Sequence, residues 1–200
     1  AIVATFRQRM FRVVGIAAAI AAFAWSGIFS LAFIRIYGVP HSKTLASEWI
    51  YKKIPPGSRI SGNHPVPLGP RNNLPDLFVE KDLDFTYLFE GDLPAAEKER
   101  YLEKYLAESD YLVLSDTIRT YFRNARPRHY PEKKFLDDLF AGRTNFELIH
   151  RFKVYPKLGE WIINDDGAEL SFHYFDHPGI YIFKKNDEIR MRKSEKKTTR

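Results

Sequence analysis

The sequence predicts an α/β protein: a single N-terminal transmembrane helix followed by a small α/β sheet domain with flanking helices. Three observations predict it. A run of 22 residues without formal charge, Val13 to Ile34, lies near the start of the chain. Downstream, stretches with helical apolar spacing alternate with short continuous apolar runs. Proline and glycine clusters punctuate the boundaries between them.

The apolar run comes first. At 1.5 Å per residue it reaches ~33 Å as a helix, enough to cross a hydrocarbon core of ~30 Å. A signal peptide has a shorter apolar region and a cleavage site. The transmembrane segment is placed at 13–36, after a flank at 1–12 that holds Arg7, Arg9 and Arg12 and no acid. Arg35 and Lys43 follow more sparsely. The positive-inside rule then puts the flank in the cytoplasm and the domain at 37–185 outside, so the expected location is the cell membrane with an extracytoplasmic domain. Gly15, Ala19, Ala22, Ser26, Gly27 and Ser30 recur at steps of three and four, forming a face of small side chains. Such a face lets helix backbones approach closely in a membrane. The alternatives are an alanine-rich single anchor and a helix packed on other transmembrane helices, which would precede Ala1 or belong to another subunit. The chain begins at Ala1, which adds to the expectation of a fragment.

Net charge is +6 over 200 residues. The flank contributes +3 and residues 184–200 contribute +5, leaving about −2 for 13–183. The basic isoelectric point therefore belongs to the two ends, and nucleic acid is not expected as a partner. There is no cysteine, which excludes disulfide and thiolate chemistry.

Along the domain, Ser42 is a plausible N-cap, and Leu45, Ala46, Trp49, Ile50 and Ile54 keep helical spacing. Pro55-Pro56-Gly57 ends that helix, and Arg59-Ile60-Ser61 begins a strand. Residues 62–92, rich in Pro, Gly and Asn, read as one long loop and a candidate binding surface. A helix is expected from about Pro94 to Ala107, a buried strand at Tyr111–Leu114, and a helix from Pro131 closed by Gly142. Phe146, Leu148, His150, Phe152 and Val154 share one strand face. Phe172 and Tyr174 alternate similarly, and Ile180–Phe183 reads as the last buried strand. These last strands are expected to pair antiparallel, as a hairpin. The expected core is Trp49, Ile50, Leu112, Leu114, Phe146, Leu148, Ile180 and Ile182. The basic tail at 186–200 has no apolar period and reads as disordered.

No strong catalytic motif is present. Asn164-Asp165-Asp166-Gly167 with Glu169 gathers oxygen ligands of the kind calcium or magnesium takes, without EF-hand spacing. The same residues are ordinary turn formers. Asp176-His177-Pro178 reads as an acid–base pair or a structural turn. His64, Arg71 and Asn72 in the long loop, with Arg59 beside it, are candidates to meet a phosphate or sugar, against the alternative of solvated loop residues. Trp49 and Trp161 suit sugar stacking or core and interface packing.

Several strings carry a resemblance. They are Ala46-Ser47-Glu48-Trp49-Ile50 with Ile54-Pro55-Pro56-Gly57-Ser58, Ser109 to Ser115, Phe146-Glu147-Leu148 to Tyr155-Pro156, Asn164-Asp165-Asp166 to Asp176-His177-Pro178, and Ile182-Phe183-Lys184. Their order after a transmembrane helix resembles the soluble C-terminal domain of polytopic GT-C membrane glycosyltransferases, the protein O-mannosyltransferase-like and aminoarabinose-transferase-like enzymes. The resemblance implies transfer of a sugar from a polyprenyl-phosphate carrier at the outer face of the membrane. It implies other transmembrane helices and the lipid-linked sugar as partners. No cofactor is expected in this chain, with a divalent cation possible in the full enzyme. The catalytic carboxylate of such enzymes lies in an early extracytoplasmic loop that this chain lacks, so no catalytic residue is carried over. The expected role is support or substrate gating. The competing expectation is a non-catalytic membrane-tethered binding or assembly module.

Overall fold

The computed structural model describes residues 2–63, 66–82, 93–122, 130–168 and 176–186. Two compact units divide the chain. One joins the N-terminal helix to residues 155–167, and the other holds the α/β domain.

In the first unit, α1 runs Ile2–Ile34, followed by a 3-10 turn over Arg35–Gly38. This helix is long and apolar enough to cross a membrane. Val13, Val14, Ile16, Ile20, Phe23 and Leu31 are all exposed, as expected of side chains that meet lipid rather than a protein core. Gly15, Ala19, Ala22, Ser26, Gly27 and Ser30 are exposed too. Ser30 Oγ donates to Ser26 O at 2.8 Å, so the one turn with two serines satisfies a hydroxyl within the helix.

In the second unit, α2 spans Ser42–Lys53. Its N-cap is His41, whose Nδ1 accepts from Lys43 N at 3.1 Å. The serine expected to cap is instead the first helical residue, and its hydroxyl donates to Pro178 O at 2.6 Å. Strands follow at β1 (Arg59–Gly62), β2 (Val79–Asp82) and β3 (Tyr111–Ser115). Helices α3 (Ala95–Ala107), α4 (Asp116–Phe122) and α5 (Tyr130–Phe140) lie in sequence around β3. The chain then enters β4 (Phe146–Phe152). A hairpin of β5 (Lys157–Leu158) and β6 (Trp161–Ile162) belongs to the first unit. The last strand, β7, is Ile180–Lys185.

The sheet order is β2-β1-β3-β7-β4. β1 is parallel to both β2 and β3, and β7 is antiparallel to both β3 and β4. All five residues of β3 are buried, which explains its unbroken apolar run. Its faces divide the core. Leu112 and Leu114 pack with Leu102, Phe122, Leu136, Leu139 and Phe183 under α3, α4 and α5. Tyr111 and Val113 pack with Ala46, Ile50, Ile60, Val66, Leu68, Ile180 and Ile182 under α2. The domain is thus three layers, helix on sheet on helix.

Several expectations change. The segment expected to be one loop holds a 3-10 turn at Pro70–Asn72 and the edge strand β2. Its described part is docked: Val66, Leu68 and Phe78 are buried, Ser47 Oγ donates to Pro67 O at 2.7 Å, and Tyr51 Oη donates to Pro75 O at 2.7 Å. Apolar residues separated by prolines have no period to betray them. Leu148, expected in the core, is 47% exposed. A register shift between Leu148 and His150 breaks the strict alternation that put it there. Trp49 is half-buried and stacks on His150, centroids 5.0 Å apart. The final antiparallel pair is β4 with β7, with no tight hairpin between them. Phe172, Tyr174 and the tail at 187–200 lie outside the described residues.

A candidate functional site at the carboxyl edge of the parallel strands

The strand order reverses beside β1. The chain leaves β1 toward β2 on one side and returns to β3 on the other. In open α/β sheets, ligands bind outside the carboxyl ends of strands at such a point. Here those ends carry Asn63, after β1, and Ser115 at the end of β3 with Asp116 and Thr117 after it.

Each side chain has a structural reason to be there. Ser115 is the last residue of β3 and caps α4, its Oγ accepting from Thr117 N at 3.2 Å and sharing a 2.7 Å hydrogen bond with Thr117 Oγ1. Asn63 Oδ1 accepts from Ser115 N at 3.3 Å, tying the two strand ends together. Asp116 opens α4, and its backbone N–H donates to Gly179 O at 2.8 Å. Lys153 follows β4, and its Nζ donates to Asp116 Oδ2 at 3.1 Å. The Lys153 side chain is 2% exposed and that of Asp116 14%. Asp116 Oδ1 is buried and makes no hydrogen bond among the described residues.

The turn before β7 closes the cluster. His177 is fully buried. A Cβ on Gly179 would lie 2.6 Å from Asp116 Oδ2 and 3.3 Å from Lys153 Cδ, so the ion pair occupies the space that any other residue there would fill. Ser42 holds the same turn through Pro178 O. The arrangement is a charge-balanced, largely buried cluster of a carboxylate, an ammonium, two hydroxyls and an amide. A carboxylate held by lysine on one oxygen keeps its other oxygen as an acceptor.

The residues singled out from sequence fall elsewhere. Arg59 begins β1, at the opposite end of that strand from Asn63. It forks onto Asp110, with Nη2 to Oδ1 at 2.9 Å and Nε to Oδ2 at 3.1 Å. The guanidinium hydrogen bonds hold the Asp110 carboxyl below the usual carboxylate range, and the same contact raises Arg59. Arg71 and Asn72 are exposed on the 3-10 turn, and Asn72 Nδ2 donates to Leu68 O at 2.7 Å. Asp165 and Asp166 belong to the first unit. Asp166 accepts from Tyr155 Oη at 3.1 Å, and its N–H donates to Asn164 Oδ1 at 2.9 Å, the Asx turn foreseen for this sequence. Among the described residues, no three His, Cys, Asp or Glu gather as a metal site. His64 and Glu169 lie outside the described residues. The structure therefore does not unite Arg59 with Arg71 and Asn72, and of the residues in its polar cluster only His177 stands out in the sequence as a chemical candidate. One signal was available: an acid directly after a buried apolar strand marks a strand's carboxyl end.

Comparison with protein-family models, with curated proteins and with solved structures found no match.

Proposed function

We propose that this chain is the C-terminal part of an integral-membrane glycosyltransferase that uses a polyprenyl-phosphate-linked sugar, and that its α/β domain supports or gates an active site built by other parts of that enzyme. The observation that carries the reading is the Asp116–Lys153 cluster at the carboxyl ends of β1 and β3. Hydroxyl and amide groups around a shielded carboxylate suit recognition of a polyhydroxylated ligand. The resemblance of the strings from Ala46 to Lys184 to GT-C enzymes supplies the substrate class. The uncovered face of small residues on α1 supports packing against further transmembrane helices. The domain would lie outside the cytoplasm, as the arginines before the span favour.

The docking of 66–78 on α2 favours a fixed wall over a swinging lid. Deleting residues 62–75 would strip Val66 and Leu68 from the core, so point variants are the sounder test. The 200-residue chain is assayed alone and together with its upstream region, using polyprenyl-phosphate sugars as donors. Turnover is expected only with the upstream region, and Asp116→Asn, assayed at a temperature where it remains folded, should raise KM for donor or acceptor. Turnover by the chain alone would overturn the supporting role. Unchanged kinetics in Asp116→Asn would remove the cluster from substrate recognition.

A further inference from the structure

We propose that the β5–β6 hairpin is a second membrane contact, seated at the boundary between headgroups and acyl chains in the leaflet crossed by the C-terminal half of α1. The inference rests on the reading of α1 as a membrane span. Within the first unit, β5 packs on α1 and on the 3-10 turn after it. The Trp161 ring meets the Trp25 ring edge-on, centroids 5.9 Å apart and planes at 61°. Trp25 precedes Ile34 by nine residues, about 13 Å of helical rise. Because β5 also touches the 3-10 turn at Arg35–Gly38, the ribbon lies beside the last turns of the helix, with the Trp161 ring directed inward toward Trp25.

The surface of the hairpin fits that depth. Leu158 pairs with Trp161 and Lys157 with Ile162, so each pair projects on its own face. Leu158 is 36% exposed, Trp161 48% and Ile162 58%, which puts uncovered apolar atoms on both faces of a four-residue ladder. A two-stranded ribbon with so little burial is marginal in water. Exposed Lys157 and Glu160 flank the apolar residues and suit zwitterionic headgroups. The unpaired edges of the ribbon exclude the bilayer centre, where backbone groups find no partner. Gly159 turns the chain at φ 58°, and Ile163 N donates to Pro156 O at 2.8 Å at the open end of the ribbon, so both ends of the hairpin are fixed.

The test uses the natural absence of cysteine. Single variants Ile20→Cys, Ile162→Cys and Lys52→Cys of the full chain are labelled with an environment-sensitive fluorophore and placed in phosphatidylcholine vesicles. Position 20 reads the span, and position 52, exposed on α2, reads water. The expected result is quenching of position 20 by a spin label deep in the acyl chains. Position 162 should be quenched by a spin label just below the headgroup and protected from iodide severalfold relative to position 52. If position 20 behaves so while position 162 is as open to iodide as position 52, or is shielded from iodide and lipid label alike, the hairpin proposal fails and the span stands. If position 20 is not reached by any lipid label, both fail.

Discussion

Lys153 Nζ lies 3.1 Å from Asp116 Oδ2 with the lysine side chain 2% exposed. Two charges withdrawn from water stabilise each other only as a pair, because each left alone would bear its full desolvation cost. Lys153→Met and Asp116→Asn should each destabilise the domain, on the order of 3–5 kcal/mol for loss of a buried partner. The double variant should be less damaged than the sum. Chemical denaturation of the four proteins measures this coupling. A coupling near zero would mean that water solvates the pair.

Gly62 predicts a sharper effect. It faces Val113 across the parallel β1–β3 pair, and a Cβ there would sit 1.9 Å from Val113 O. Backbone cannot swing aside as a flexible side chain does. Gly62→Ala should therefore cost at least the ~3 kcal/mol upper end of ordinary overpacking, and it should disturb Asn63 and Ser115 at the strand ends. A melt within a degree or two of the parent would show that β1 can shift freely.

The extent to which the sequence announces all this varies by element. The long apolar helix is legible because its length and apolarity run along one unbroken segment. β3 and β7 are legible because strands buried on both faces leave continuous runs. β2, with Val79 and Glu80 exposed at the sheet edge, leaves no such run and reads as loop. The β5–β6 hairpin is missed because two residues per strand are too few for a period. The polar cluster is missed because Asp116 and Lys153 are 37 residues apart and meet only through the β3–β7–β4 pairing. Arg59 drew attention as a cation beside a loop, and its fork onto Asp110 is equally a matter of tertiary pairing.

Acid should weaken the domain through Asp110 and Asp138. Arg59 lowers the first, chiefly by its side-chain hydrogen bond, and Arg143 then Lys134 lower the second. A carboxyl whose folded pKa is depressed contributes stability above its unfolded value, and that contribution is lost as pH falls through the folded value. Both pairs are substantially exposed, so solvent screening keeps the effect small. Asp110→Asn should melt below the parent at about pH 6, and the two should converge as pH drops well under the ordinary carboxylate value of about 4. A gap that does not change with pH would assign the loss to packing instead.

Leu112 and Leu148 separate burial from pattern. Both sit at apolar positions of strands, yet Leu112 is 0% exposed and Leu148 47%. Leu112→Ala should cost about 2–5 kcal/mol, whereas Leu148→Ala should stay within about 0.5 kcal/mol. Both are read most cleanly in the stretch from His41 to Lys185, which holds both core clusters and is expected to be soluble and to melt cooperatively. Equal losses would mean that Leu148 is covered in solution.

Lys98 and Glu132 make the most deeply buried ion pair described, with Nζ 3.0 Å from Oε1 and side chains 1% and 0% exposed. They join α3 to α5, so their role is to set how two helices meet. Helix packing alone leaves α3 free to slide along α5 by a turn, since both present repeating apolar side chains such as Leu102, Phe135 and Leu139. A single buried pair fixes one register. Removing one partner, as in Lys98→Met, should cost about 3–5 kcal/mol, because the remaining buried charge loses this ion pair. Replacing both, as Lys98→Met with Glu132→Leu, should recover most of that loss or exceed parental stability, since apolar side chains of similar volume carry no desolvation penalty. The informative readout is then uniqueness of packing. If the pair selects the register, the double variant will melt as high as the parent but show broadened methyl resonances for Leu102 and Leu139. Sharp, parent-like spectra in a stable double variant would show that shape alone positions α3 on α5.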